Sequence, residues 1–180
     1  MKDPVVQAGD LVLRKVAKPV LKKDIGSPKI KRVISGMKKV LKGEEYGVAI
    51  AAPQIGESLR IFVVAGRVLL PEDAPDDATP PPDITFINPE IMRLSRAKKE
   101  MSEGCLSVRG KYGAVVRHEK ATVKALNEQG VPFTYNGTGL MAHIFQHEND
   151  HLEGILYIDK AVKLTDDPKL ASSEEHQKPA

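Results

Sequence analysis

Between Ser27 and Gly43 the apolar residues Ile30, Val33, Ile34, Met37, Val40 and Leu41 return at helical spacing and form one stripe. Ser27 supplies a capping hydroxyl, Pro28 a first-turn proline and Gly43 a stop, so the pattern predicts a helix over residues 28–43. The short β-branched run LRIFVVA at 59–65 predicts a strand, as do ITFIN at 84–88, AVVR at 114–117 and KATVKAL at 120–126. Asn127–Gly130 turns the last of these toward VPFTY, which makes a hairpin. From a Thr138 cap to about Glu153 the chain carries Leu140, Ile144, Phe145 and Leu152 and then stops at Gly154, which predicts a second helix. LYID at 156–159 reads as a closing strand.

Two segments break this pattern. Residues 71–83, PEDAPDDATPPPD, are too rich in Pro and Asp for a helix interior or a ladder and are expected to be a long surface loop. After Leu164 the sequence is polar, so residues 1–164 are expected to be one domain and 165–180 a flexible tail. The expected class is α+β: short antiparallel or mixed sheets packed around a central helix, with an additional N-terminal helix.

A length of 180 residues suffices for one core without staples, and 41% hydrophobic with 28% charged residues is ordinary globular composition. No apolar run approaches the roughly 20 residues needed to span a bilayer, so no membrane association is expected. The opening MKDPVVQAGD lacks the apolar core of a secretory leader, and a cytoplasmic location is expected. A net charge of +3, with no basic cluster interleaved with aromatics, gives no reason to expect DNA binding. Residues 1–45 nonetheless hold twelve Lys/Arg against five Asp/Glu, whereas residues 71–83 hold five acids and no base. The single cysteine, Cys105, precludes an intrachain disulfide and leaves its thiol free for chemistry.

The second predicted helix contains His147-Glu148-Asn149-Asp150-His151, an H-E-x-x-H string. Positions i and i+4 share a helix face, roughly 5–6 Å apart at Cβ, so two imidazoles can hold one metal while Glu148 reaches a water at its open position. A catalytic site of this kind takes three protein ligands. A third His six residues after the second is absent, because that position is Tyr157. Glu174 and Glu175 lie in a polar stretch without a helical stripe. Cys105, in Glu103-Gly104-Cys105-Leu106-Ser107, is the remaining candidate, and a thiolate is an excellent ligand.

Three segments resemble, in order, the signature motifs of peptide deformylases: Gly47-Val48-Ala49-Ile50-Ala51-Ala52-Pro53-Gln54, Glu103-Gly104-Cys105-Leu106-Ser107 and Gln146-His147-Glu148-Asn149-Asp150-His151. The similarity runs from about Leu13 to Asp159. The resemblance implies removal of the formyl group from formyl-methionyl nascent polypeptides, transiently on the ribosome. It implies one divalent metal per chain, natively Fe2+ in many members, with Zn2+, Ni2+ or Co2+ as substitutes. Carried over by position, Cys105, His147 and His151 would be metal ligands, Glu148 the acid/base, and Gln54 with the Leu106 backbone N–H the oxyanion donors. Gly47, Val48, Ala49, Met101, Gly104, Leu140, His143 and Ile144 would line the substrate site.

Three positions depart from the family pattern. Ala49 stands where a glycine is usual, His143 where an apolar residue is usual, and residues 161–180 lack the stripe of a ribosome-docking helix. His143 is expected at the pocket edge rather than on the metal, because a fourth ligand would close the open position. The rival readings are a zincin-like endopeptidase, which needs a His or Glu third ligand, and a non-catalytic metal- or peptide-binding relative.

Overall fold

Ser27 Oγ accepts the Ile30 N–H at 3.4 Å, and with Pro28 it starts helix α1 (Pro28–Gly43). The stripe Ile30, Val33, Ile34, Met37 and Leu41 is buried. The computed structural model describes residues 3–71, 73–75 and 77–166. Eight strands follow in chain order: β1 (Ala49–Ala51), β2 (Ile61–Val64), β3 (Ile84–Leu94), β4 (Lys98–Cys105), β5 (Val108–His118), β6 (Lys120–Leu126), β7 (Pro132–Thr138) and β8 (Lys163–Asp166). Helix α2 (Gly139–Leu152) lies between β7 and β8.

The strands form a five-stranded sheet in the order β1-β2-β3-β6-β7 and a three-stranded sheet in the order β4-β5-β8. Every pairing within these sheets is antiparallel. Strand β2 shows how the larger sheet is covered. All four of its residues are buried, Phe62 and Val64 in a cluster with Phe145 and Leu152 of α2, Ile61 and Val63 in a cluster with the α1 stripe. Side chains alternate across a strand, so β2 needs an apolar partner on both faces, and the two helices supply them. Phe62 and Phe86 stack with centroids 4.5 Å apart, and Phe145 packs edge-on to Phe86 at 5.2 Å. A third cluster, Leu13, Val108, Val115, Leu156 and Tyr157, joins the smaller sheet to the rest.

Several elements depart from the sequence pattern. The strands expected at 84–88 and 114–117 extend to Ile84–Leu94 and Val108–His118. In β3 the extension passes a register shift at Asn88-Pro89, where Asn88 adopts φ 50° and exchanges two 2.8 Å hydrogen bonds with the Val20 backbone. Strand β4 was not expected, because its residues are mostly polar and exposed. LYID is not a strand. Tyr157–Asp159 forms a 3-10 turn after Gly154 (φ 74°), with Asp159 Oδ2 accepting the Leu156 N–H at 2.9 Å. Thr138 occupies the cap position of α2 but makes no side-chain capping bond. Strand β8 continues to Asp166, beyond Leu164, and the remainder of the expected tail lies outside the described residues. Residues 71, 73–75 and 77–83 form no helix or strand. No helix among the described residues is long and apolar enough to cross a membrane.

Candidate metal centre

Helix α2 turns Ala142, Phe145 and Leu152 toward the large sheet. The 3.6-residue period then directs His147 and His151 the other way, toward the hairpin of β4 and β5 that carries Cys105. Donor atoms of Cys105, His147 and His151 lie within 4.8 Å of one another, and Cys105 Sγ is 3.2 Å from His151 Nε2. The two imidazole rings are 5.0 Å apart at a 73° angle. This is a soft, three-ligand set that suits ferrous iron or zinc better than magnesium or calcium.

Behind His147 is a set of charged groups. Glu103, 8% exposed, accepts the His147 Nδ1–H at 2.9 Å, which leaves Nε2 for a metal. Arg117, 3% exposed, grips both Glu103 oxygens, Nε to Oε1 at 2.5 Å and Nη2 to Oε2 at 2.9 Å. Its Nη1 reaches Asp150 at 2.8 Å, and Lys160 closes the chain on Asp150 at 2.7 Å. Burial acts to raise the Glu103 carboxyl, but Arg117 and His147 outweigh it and hold it at about 2. Burial disfavours a charged His147, yet the Cys105 sulfur and Glu103 lift it to about 10. Burial and neighbouring His147 push His151 well down. The surroundings thus favour one positive charge at His147, and a divalent cation held among the three donors would stand in the place of that proton. The residues fit the metal.

Glu148 is 3% exposed, and its Oε2 has no hydrogen-bond partner among the described residues. Burial raises it to about 7, with His147 and Arg117 opposing. A carboxylate at that value can both take and return a proton near neutral pH. Gln54 is 2% exposed. Its Oε1 accepts the Ala51 N–H at 2.8 Å, which turns Nε2 toward Cys105 Sγ (3.4 Å) and Ser107 Oγ (3.3 Å). The Leu106 carbonyl accepts from Gln7 Nε2 at 3.0 Å.

These groups open onto a cleft of about 740 Å3. Gly47, Val48, Ala49, Met101, Gly104, Leu140, His143 and Ile144 all border it, together with Gln54, Cys105, Leu106, His147 and Glu148. His143 is 4% exposed, with Nδ1 3.6 Å from Glu103 Oε1 and no hydrogen-bond partner for either ring nitrogen among the described residues. At Gly104 a Cβ would approach the Tyr112 ring to 2.9 Å, so the glycine lets the hairpin fold against that ring. Sequence patterns gave no role to Glu103, Arg117, Asp150 or Lys160, although Glu103 stands in the Cys105 motif. Tyr157, set aside as a ligand, stacks on His147 with centroids 6.1 Å apart.

The profile of the polypeptide deformylase family matches residues 2–167. A peptide deformylase of Carboxydothermus hydrogenoformans is 43% identical over 158 residues, covering 87% of this chain and 91% of its own. Among solved structures, a Met-Ala-Ser-bound class I type b peptide deformylase from Acinetobacter baumannii superimposes with a TM-score of 0.77 at 35% identity, covering 87% of this chain and 96% of that one. A peptide deformylase from Legionella pneumophila gives 0.73 at 36% identity, covering 97% and 98%. A match that spans the described chain and takes in both the Cys105 hairpin and the His147–His151 helix shows that this protein belongs to the polypeptide deformylase family.

Proposed function

We propose that the chain works as a peptide deformylase through Cys105, His147 and His151 as metal ligands and Glu148 as acid/base. The reaction is hydrolysis of the N-terminal formyl amide of formyl-methionyl peptides: water adds, the formyl C–N bond breaks, and formate and a free amine leave. The single observation that carries the residue assignment is the convergence of three soft donors beside Glu148, which is 3% exposed and has an Oε2 without a hydrogen-bond partner among the described residues.

The bound metal would supply Lewis acidity, lowering the pKa of a water and polarising the formyl oxygen. Glu148 accepts the proton of the attacking water and delivers it to the departing nitrogen. Gln54 Nε2, fixed through its Oε1 by Ala51, and the Leu106 N–H donate to the oxygen as negative charge develops there. Val48, Met101, Leu140 and Ile144 give an apolar wall for the methionine side chain, with His143 buried at its edge. Gly47, Ala49 and Gly104 keep the adjacent backbone accessible to the peptide. In this reading α2 is the central metal-binding helix, flanked by the two sheets, and α1 supports the far face of the larger one.

The cysteine in the donor set suits iron or zinc rather than magnesium, and by likeness to the family we take ferrous iron as the native ion, with zinc, nickel or cobalt as replacements. We assign residues 1–164 as the catalytic unit, with β8 carrying its edge to Asp166 and the polar tail following. Formylated amino termini are made on ribosomes, and we infer that the enzyme meets them on emerging chains in the cytoplasm. Nothing in the geometry or the relatives favours an endopeptidase.

Anaerobic purification with metal analysis, followed by turnover of formyl-Met-Ala-Ser, tests the assignment. Glu148→Gln is expected to retain metal and lose turnover. An inactive wild type carrying stoichiometric ferrous iron overturns it.

A further inference from the structure

One wall of the cleft is an irregular segment, Glu44–Val48, between the end of α1 and β1. Such a segment has no ladder of its own, so its shape depends on what holds it from outside. The holder is Arg67, on the 3-10 turn Gly66–Leu69. Its Nη2 directs its two N–H groups at the Glu44 carbonyl (2.8 Å) and the Gly47 carbonyl, with the Leu41 carbonyl sharing them at 3.4 Å. One guanidinium therefore gathers the last carbonyls of α1 and the residue that opens the substrate wall. A cation is also favourable at a helix C-terminus. Beside it, the Ala65 N–H donates to the Val48 carbonyl at 2.9 Å.

The turn that presents Arg67 is itself buttressed by the end of the Pro- and Asp-rich loop. The Gly66 N–H donates to Asp83 Oδ1 at 2.9 Å. Gly66 lies so close against the Pro81 carbonyl that any Cβ there would collide with it. Contacts thus run from Pro81 and Asp83, through Gly66 and Arg67, to Glu44 and Gly47, with Ala65 holding Val48 alongside. Among the described residues, Pro81, Asp83, Gly66 and Arg67 make no hydrogen bond or ion pair with Cys105, His147 or His151.

We propose that Arg67, fixed by the Pro81–Asp83 end of the loop, is a positioning residue that sets the Gly47–Val48 wall for the formyl-methionyl peptide. This rests on the deformylase reading above and adds to it a role for a segment that carries no chemistry. A device of this kind acts on substrate binding and leaves the metal and Glu148 alone, so it separates KM from kcat.

The test is steady-state kinetics on formyl-Met-Ala-Ser with metal-loaded wild type, Arg67→Met, Arg67→Lys and Asp83→Ala. Calorimetric binding of Met-Ala-Ser is run alongside. Arg67→Met is expected to raise KM about 3- to 10-fold, the effect of one or two carbonyl hydrogen bonds. Its kcat, metal content and cobalt absorption spectrum should stay at wild-type values. Arg67→Lys should recover part of the loss, because an ammonium can still reach one carbonyl. A folded Arg67→Met with wild-type KM and Met-Ala-Ser affinity overturns the proposal, as does a parallel fall in kcat and metal content. Should Arg67→Met fail to fold, Asp83→Ala decides: a raised KM supports the positioning role and an unchanged one overturns it. An inactive wild type would count against the deformylase reading, whereas weaker Met-Ala-Ser binding in the variants would still support the role of Arg67.

Discussion

Glu103→Gln changes one atom of a side chain outside the Cys105, His147 and His151 donor set, yet its consequences can be worked through the groups it holds. The wild-type carboxylate accepts from Arg117 on both oxygens and from His147 Nδ1–H on one. Glutamine has one acceptor oxygen, and its amide N–H2 must face a donor, either Arg117 or His147. Losing such a partner behind a ligating imidazole typically lowers metal affinity about 10- to 100-fold, or about 1.4 to 2.7 kcal/mol. A second effect is separate. Arg117 is 3% exposed and would keep only Asp150 as a charged partner, so folding stability should fall by up to about 3 kcal/mol. The double variant Glu103→Gln/Arg117→Met tells the two apart. It removes the stranded guanidinium while Asp150 keeps Lys160, so urea stability should recover and metal affinity should not. Chelator competition on cobalt- or zinc-loaded protein measures the first quantity and urea titration the second. If Glu103→Gln holds metal as tightly as wild type, His147 does not depend on its carboxylate partner and the reasoning fails.

Other expectations follow from the same geometry. Because Glu103 is held at about 2 against an ordinary value near 4.5, its contribution to stability is complete above pH 4.5 and is lost as pH falls toward 2. Acid titration of wild type against Glu103→Gln should show that component only in the wild type. Burial lifts Glu148 to about 7 and a divalent cation nearby draws it back, so kcat/KM should rise with pH through an acid limb at or below about 7. A limb well above 7 would exclude Glu148 as the base. At Gly113 a Cβ would meet the Tyr157 ring and Ala161 at 2.8 Å, so Gly113→Ala should destabilise by about 1–3 kcal/mol in urea and disturb the cobalt spectrum through the ring stacked on His147. His143→Ile removes two buried nitrogens that make no hydrogen bond among the described residues, at the loss of a 3.6 Å approach to Glu103, and should change stability by no more than about 1 kcal/mol, which thermal unfolding will read.

What could be read from the sequence was local. Helix α1 was legible because its cap, its proline and its stripe all lie within 16 residues, and the His147–His151 spacing shows by itself which face two ligands share. Cys105 follows from no spacing, only from elimination and from the likeness of its motif, and the structure shows why. It meets His151 across 46 residues, a pairing with no period. The chain behind the site is longer-range throughout. Glu103 meets Arg117 across 14 residues and His147 across 44, while Arg117 meets Asp150 across 33. Arg67 reaches back 20 to 26 residues to its carbonyls. Strand β4 is hard to read because its inward face, Met101, Glu103 and Cys105, carries a carboxylate where alternation leads one to look for an apolar residue. LYID misled for the opposite reason: Leu156 and Tyr157 are both buried, an apolar pair that a turn can bury as well as a strand can.

The placement of Cys105 on the smaller sheet and of both histidines on the helix that covers the larger one has a mechanical reading. An ion gripped by all three would act as a clasp between two halves of the fold, closing a loop from residue 105 to residue 147 much as a disulfide would. Unlike a disulfide, the clasp responds to supply: melting temperature should climb with the free concentration of the ion. Where that ion is scarce, the protein would then lose mechanical integrity along with its metal, and metal-free copies would be the first that proteases reach.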